Sequence, residues 1–204
     1  MHGLSVDLGK ELSGRLGVPF EPVHFQRIAE VIEAMKAGDV DFTISNATPA
    51  RAIDVAFSQT LLSVELGYLI PALSSTTTIA DLDKPGLRIG VTQGSTSQRT
   101  LPNILPNATV VPAQNSRRAI EMFERRELDV FATNKPTLFE ISDQMPGARV
   151  LDGRWGVEHI AIAIPKGRET AMEYLRRFVE EVQTSGLLTQ AVARAGLRGV
   201  VTAQ

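Results

Sequence analysis

The sequence predicts an α/β protein built as two similar lobes, and three observations carry that prediction. Apolar spacing alternates along the chain between the period near 2 of a strand and the period near 3.6 of a helix. A helix–turn–strand segment recurs. A run of Ser and Thr, Ser74-Ser75-Thr76-Thr77-Thr78, is the clearest shift in composition and reads as a linker or a domain crossing. The length of 204 residues allows one large domain or two small ones, either able to bury a core.

The elements follow in order. Leu8, Leu12 and Leu16 share one helical face, and Gly17 stands at a C-cap position. Val18 to Val23 reads as a strand interrupted by prolines. Ile28, Val31, Ile32 and Met35 make a buried helical stripe that Gly38 ends. Val40, Phe42 and Ile44 alternate as a strand, and the loop Ser45 to Arg51 follows. Leu66 to Leu73 is an apolar run. Beyond the Ser/Thr run come a short helix at Ile79 to Leu82 and a strand at Leu87 to Val91. The loop Gln93 to Ser97 opens a helix. A strand at Val110-Val111, a charged helix from Ser116 to Arg126 and a strand from Asp129 to Thr133 come next. Ile160, Ile162 and Ile164 alternate before a helix carrying Leu175, Phe178, Val179 and Val182 inward. A shorter helix, Leu187 to Ala195, is capped by Gly196. Strands alternating with helices argue for mainly parallel sheets.

The recurrence is gapless. Glu33 to Asn46 can be laid on Glu121 to Asn134, with Glu, Asp and Asn at the same offsets. Any helix–turn–strand unit can converge on such a pattern. The sharper reading is two α/β lobes, each presenting a strand's C-terminal end, where open α/β sheets bind ligands.

Composition excludes several function classes. With 21 Lys+Arg against 23 Asp+Glu the net charge is -2, which gives no support to nucleic acid or an anionic membrane as partner. Zero cysteine removes disulfides, thiol nucleophiles and thiolate metal sites. His2, His24 and His159 are far apart in sequence, so no metal site is expected, and no cofactor either. No secretory leader pattern opens the chain. No apolar run reaches the roughly 20 residues that span a bilayer.

The candidate site residues have plain alternatives. Thr48 suits a helix cap before Pro49, and Arg51 then falls in the first turn, where a cation opposes the helix dipole. A ligand carboxylate on the guanidinium fork would compensate it. So would a surface ion pair with Asp54, and local sequence favours that pair. Gly94-Ser95-Thr96-Ser97 after a strand suits an anion site or an ordinary cap. Asn46 and Asn134 end equivalent strands and offer amide groups to a ligand or to a turn. Trp155 could stack on a ligand beside Glu158 and His159, although core packing accounts better for a lone Trp. No G-x-S-x-G or H-E-x-x-H motif occurs. Lys135, on a long flexible stem, receives no role.

These residues together resemble a family. Gly3 to Leu8 is similar to the "GFDVDLA" opening helix of the type II periplasmic solute-binding proteins, amino-acid-binding branch. Leu16-Gly17-Val18 matches "LGV". Gly38 to Ser58 matches "G..D......T..R......FS", and Asp81 to Thr96 matches "DL.G..VGV..GST". Asp129 to Pro136 follows the "DAV..D.P" segment, Ile160 to Gly167 "GIAV.KG", and Ser185-Gly186-Leu187 the closing "DGTL". The motifs run in family order over essentially the whole chain.

The resemblance implies two lobes of mixed sheets with helices on both faces. One lobe holds 1–73 plus 158–204, the other 74–157. A hinge would close them over a small carboxylate-bearing solute, an amino acid or a relative, for delivery to an ABC permease in the membrane. Arg51 inherits the carboxylate clamp, Ser95 and Thr96 donate to the same carboxylate, and Asn46 and Thr48 add hydrogen bonds. Asn134 stands where the family has an Asp for the ligand ammonium, so the ligand lacks that ammonium or Glu158 replaces the charge. The family also begins with a strand and loop that precede the "GFDVDLA" match. The expectation is therefore an incomplete first lobe whose exposed edges a partner, or self-association, would cover. A periplasmic protein is expected, with signal peptide and first strand outside this chain. Two other functions fit the same scaffold. One is a dehydratase for a cyclic carboxylate, similar to cyclohexadienyl dehydratase, with Glu158 as its acid. The other is a sensory ligand-binding module.

Overall fold

A computed structural model describes residues 3–201, so His2 lies outside the described residues. The chain divides into two units, one of residues up to Ser63 together with those from Glu158, the other Val64–Val157. Each has its own layers and core.

The first unit opens with α1, Leu4–Leu16, closed by Gly17 in the left-handed conformation at φ 69°. Leu8 and Leu12 are buried, but Leu16 is 52% exposed, so the predicted stripe stops one turn short. The predicted strand from Val18 to Val23 does not form. Pro19 and Pro22 have no N–H to give a ladder, and Val18 and Val23 stand exposed. α2, Ile28–Ala37, buries Ile32 and Met35 against Val55 and Ala163. β1 is Thr43–Asn46, starting later than the alternation from Val40 suggested. β2, Val55–Phe57, follows. β3, Leu62–Ile70, then carries the chain into the second unit, crossing between Ser63 and Val64.

The crossing therefore lies inside a strand and not at the Ser/Thr run, where the sequence reading placed it. That run is tied into the second unit. Arg149 Nη2 donates to Thr76 O at 2.7 Å. Thr78 caps the 3-10 turn Ile79–Asp81 and donates its hydroxyl to Asp81 at 3.0 Å. With these hydrogen bonds and its ion pair to Lys84, the Asp81 carboxyl is held down at about 2.

The second unit is a three-layer α/β/α structure. Its elements are β4 Arg88–Thr92, α3 Thr96–Ile104, β5 Thr109–Ala113, α4 Ser116–Glu124, β6 Val130–Asn134, α5 Lys135–Gln144 and β7 Arg149–Val150. The strand order is β3-β6-β4-β5, with β7 added on β3. β4 runs parallel to β5 and to β6, whereas β6 runs antiparallel to β3. The sheet is thus mixed, and the purely periodic argument for mainly parallel strands holds only around β4. Side chains alternate across it. Tyr68, Ile89, Val91, Val130 and Ala132 pack on one face with Leu101 of α3. Leu69 and Phe131 pack on the other with Phe123 of α4 and Leu138 and Ile141 of α5. Burial on both faces explains why these strands read as apolar runs. The Tyr68 hydroxyl is buried without a partner, and burial pushes its pKa up, so it stays a neutral phenol.

The chain returns to the first unit along β8, Gly156–Pro165, which pairs antiparallel with β1 and β2. α6, Met172–Thr184, and α7, Leu187–Arg194, close the unit. The Arg15 guanidinium of α1 lies 5.2 Å over the Phe178 ring of α6.

The internal repeat has a structural counterpart. It lays α2 and β1 on α4 and β6, helix against helix and strand against strand. The turn residue Gly38, at φ 85°, falls on Arg126, at φ 58°, the one positive-φ non-glycine among the described residues. Both units therefore make the same left-handed turn, and the second makes it without glycine. Arg126 O accepts from Arg88 Nη2 at 2.8 Å, which helps hold that turn.

Candidate functional site

In the first unit the structure brings Asn46, Thr48 and Arg51 together. Asn46 is the last residue of β1 and is buried. Arg51 Nη1 donates to Asn46 O at 2.9 Å, and Arg51 N donates to Thr48 Oγ1 at 3.3 Å. The helix predicted from Pro49 is only a 3-10 turn, Arg51–Ile53, because β2 begins at Val55 and leaves no room for an α-turn. The N-cap is Ala50, which has no side-chain cap, so Thr48 is not the cap that the sequence suggested, although its hydroxyl accepts from Arg51 N. The guanidinium is half-buried and is anchored at the end of β1 through Nη1. Asp54, the ion-pair partner that local sequence favoured for Arg51, lies 3.8 Å from Lys36 Nζ. Glu158 lies half-buried on β8. The neighbouring His159 places Nδ1 3.2 Å from Ser63 Oγ.

In the second unit β4 lies between β5 and β6. The chain leaves β4 toward β5 and returns to β6 on the other side, which is the strand reversal at whose carboxyl edge α/β sheets form ligand crevices. Three helices start at that edge, each with a side-chain cap. Ser95 Oγ accepts from Gln98 N, Asn115 Oδ1 from Arg118 N, and Asn134 Oδ1 from Thr137 N. Gln98 reaches back to accept from Gly94 N at 2.6 Å, fixing the loop. Thr96 is the first residue of α3. Ser95 is therefore a cap, as its plain reading had it, and Asn134 caps α5 where its plain reading had a turn residue, at an edge where a solute could also approach.

Lys135 departs from its sequence reading. Its Nζ lies 2.6 Å from Glu65 Oε2, and Arg154 Nη1 lies 3.0 Å from Glu65 Oε1. Leu66 faces Asn134 across β3 and β6, which sets Glu65 beside Lys135. The Lys135 stem lies flat over Gly67, where a Cβ would come within 3.1 Å of its Cγ. Trp155 packs against β3, donating from Nε1 to Gly67 O at 3.2 Å, and its ring centroid is 6.3 Å from that of Tyr68. Trp155 is thus a packing residue, as its plain reading had it. The sequence signal for the cluster was a glutamate entering an apolar strand, which calls for a cation.

Lys135 and then Arg154 hold the Glu65 carboxyl below its usual range. Such a group contributes stability that is complete above its unfolded pKa, near 4.3, and is lost as pH falls through the lower folded value. Glu65→Gln is expected to cost about 1–2 kcal/mol at pH 7. Its melting temperature should converge on that of the parent below pH 4. A deficit unchanged between pH 7 and pH 3 would remove the ionic explanation.

Among the described residues no group of three or more His, Asp or Glu could hold a metal ion. No described helix is long and apolar enough to cross a membrane.

The profile of the bacterial extracellular solute-binding proteins, family 3, matches residues 1–196. The chain belongs to this family. As a family 3 protein it has curated relatives of low identity. It is 20% identical over 190 residues to the ABC transporter glutamine-binding protein GlnH of Bacillus subtilis (strain 168), covering 91% of this chain and 69% of that one. It is 23% identical over 170 residues to the glutamine-binding protein of Geobacillus stearothermophilus, covering 81% of this chain and 64% of the other. The chain thus spans about two thirds of each relative's length. In fold, it is similar to a binding component of an ABC transporter from Wolinella succinogenes DSM 1740 complexed with lysine. That match has a TM-score of 0.86 at 20% identity and covers 94% of this chain and 84% of the other.

Proposed function

We propose that the chain is the extracytoplasmic solute-binding component of an ABC importer, and that it takes a small carboxylate-bearing solute, an amino acid or a relative of one. The observation that carries this reading is the anchored, half-buried Arg51 guanidinium at the end of β1 in a family 3 protein. A planar fork of N–H donors matches a carboxylate in shape and charge. Asn46 O holds the fork and the Thr48 hydroxyl holds the Arg51 backbone N–H, and both residues are candidates for further hydrogen bonds to the solute. Ser95 and Thr96, at the N-terminal end of α3, supply a second set of donors where the helix dipole favours an anion. Glu158 and Asn134 are the remaining polar candidates. The permease is the partner that receives the solute. The relatives are binding proteins by name, which supports binding over catalysis for this chain.

A thermal-shift screen over amino acids, their amides and small organic acids tests the reading. Binding to the folded state alone raises stability by about 2.7 kcal/mol at a hundredfold excess over Kd. At least one carboxylate is expected to raise the melting temperature in a concentration-dependent way. Silence of every carboxylate at millimolar concentration would overturn the reading.

A further inference from the structure

The chain passes between the two units without a loop. It leaves the first on β3, between Ser63 and Val64, and returns on β8, between Val157 and Glu158. β3 and β8 are neighbours in the sheet. In the first unit Leu61 N donates to Ile160 O at 2.7 Å, and in the second Trp155 N donates to Leu66 O at 3.1 Å. The steps from Leu61 to Leu66 and from Ile160 back to Trp155 are equal, so the antiparallel register is kept through both crossings. The crossing is thus a two-stranded ribbon, and such a ribbon by itself is marginal and twists readily.

A third strand reaches it. β9, Val200–Val201, pairs with β3. β6 takes up β3 only from Leu66 onward, on the side away from β8. The half left for β9 comes before that and begins at Leu62, in β9's own unit. The approach to it is built. α7 closes in a Schellman arrangement, Gly196 N donating to Ala193 O at 3.0 Å and Leu197 N to Val192 O at 3.2 Å, with Gly196 left-handed at φ 63°. Gly199, at φ 73°, then turns the chain into β9, and its two β-branched valines suit a strand. The family profile ends at residue 196, so β9 lies beyond the part of the chain that the profile describes. We propose that β9 is a strap, which pins the first half of β3 at the crossing and stiffens the ribbon that joins the units. The use of that stiffness rests on the solute-binding reading above: a stiffer ribbon raises the cost of moving one unit on the other to take up or release a solute.

Hydrogen exchange of the unliganded protein tests the strap without any solute. Two variants are compared with the full chain. One ends after Gly199. The other, Val200→Gly with Val201→Gly, keeps the chain length but weakens the strand. Peptides covering residues 62–66 and 157–160 are expected to exchange about tenfold faster in both variants, the worth of one or two ladder hydrogen bonds. Peptides from α4 and α5 should keep their rates. Unchanged exchange at residues 62–66 would overturn the proposal. So would equal acceleration throughout the molecule, which would make β9 a general stabiliser and not a strap. Neither result bears on whether the chain binds a solute, which the thermal-shift screen decides.

Discussion

Arg51→Ala is expected to abolish the thermal shift produced by any carboxylate that stabilises the parent. The guanidinium is the cation that the structure fixes at the end of β1, through Nη1 to Asn46 O at 2.9 Å. Truncation removes the charge and both arms of the fork. It also leaves a bound carboxylate without its counter-charge, which costs about 2–5 kcal/mol when the pair is desolvated. That is a loss of roughly thirtyfold to several thousandfold in affinity. Arg51→Lys separates charge from shape. It keeps the cation but offers a point charge in place of a planar fork, so partial binding is expected at best. The unliganded protein should lose little, because Arg51 is half-buried and the Thr48 hydroxyl bonds the backbone N–H of residue 51, which alanine keeps. Full ligand stabilisation in Arg51→Ala would exclude the carboxylate role. A collapse of basal stability would show that Arg51 serves the fold instead.

How far the sequence could be read depends on how local the determining physics is. In the second unit α4 was legible because its stripe lies within a few residues, as Ala119 and Phe123 show, whereas α5, Lys135–Gln144, was not read. The repeat was legible for the same reason, since a helix, a left-handed turn and a strand are consecutive. The strand expected at Val18 to Val23 was not, because alternation measures amphipathicity and says nothing about whether a neighbour completes the ladder. Lys135 was misjudged for a related reason. Its partners Glu65 and Arg154 are distant in sequence and meet only through strand pairing and the loop after β7. The domain crossing was misplaced because a Ser/Thr run looks like a linker whether or not its hydroxyls are used. Here Thr78 is spent on Asp81. At Arg51 local sequence favoured Asp54, whereas the family pattern pointed to a ligand. The anchoring to Asn46 O bears on that choice, yet no spacing rule encodes it.

The largest stability effect should come from Phe131. It is the second residue of β6, 2% exposed, with Leu69 opposite on β3, and it shares one core cluster with Phe123 of α4 and Leu138 and Ile141 of α5. One side chain thus joins the sheet to both helices on that face. Phe131→Ala removes a ring from a close-packed interior that relaxes only partly, so both the lost transfer energy and the cavity count. The expected cost is about 3–5 kcal/mol. For a chain of this size that corresponds to a fall in melting temperature of roughly 10 °C. Phe131→Leu keeps most of the volume and should cost about 1.5 kcal/mol. Leu73→Ala gives the contrast: Leu73 is 90% exposed, and its loss should stay within about 0.5 kcal/mol. Urea unfolding of the three variants would measure the series. The same packing sets where β6 ends and α5 begins, hence where Asn134 and Lys135 stand. Phe131→Ala should therefore weaken solute binding even under conditions where the variant remains folded, whereas Leu73→Ala should leave it unchanged. A Phe131→Ala protein that loses less than about 1 kcal/mol would mean that this face of the sheet is not the packed core its burial indicates.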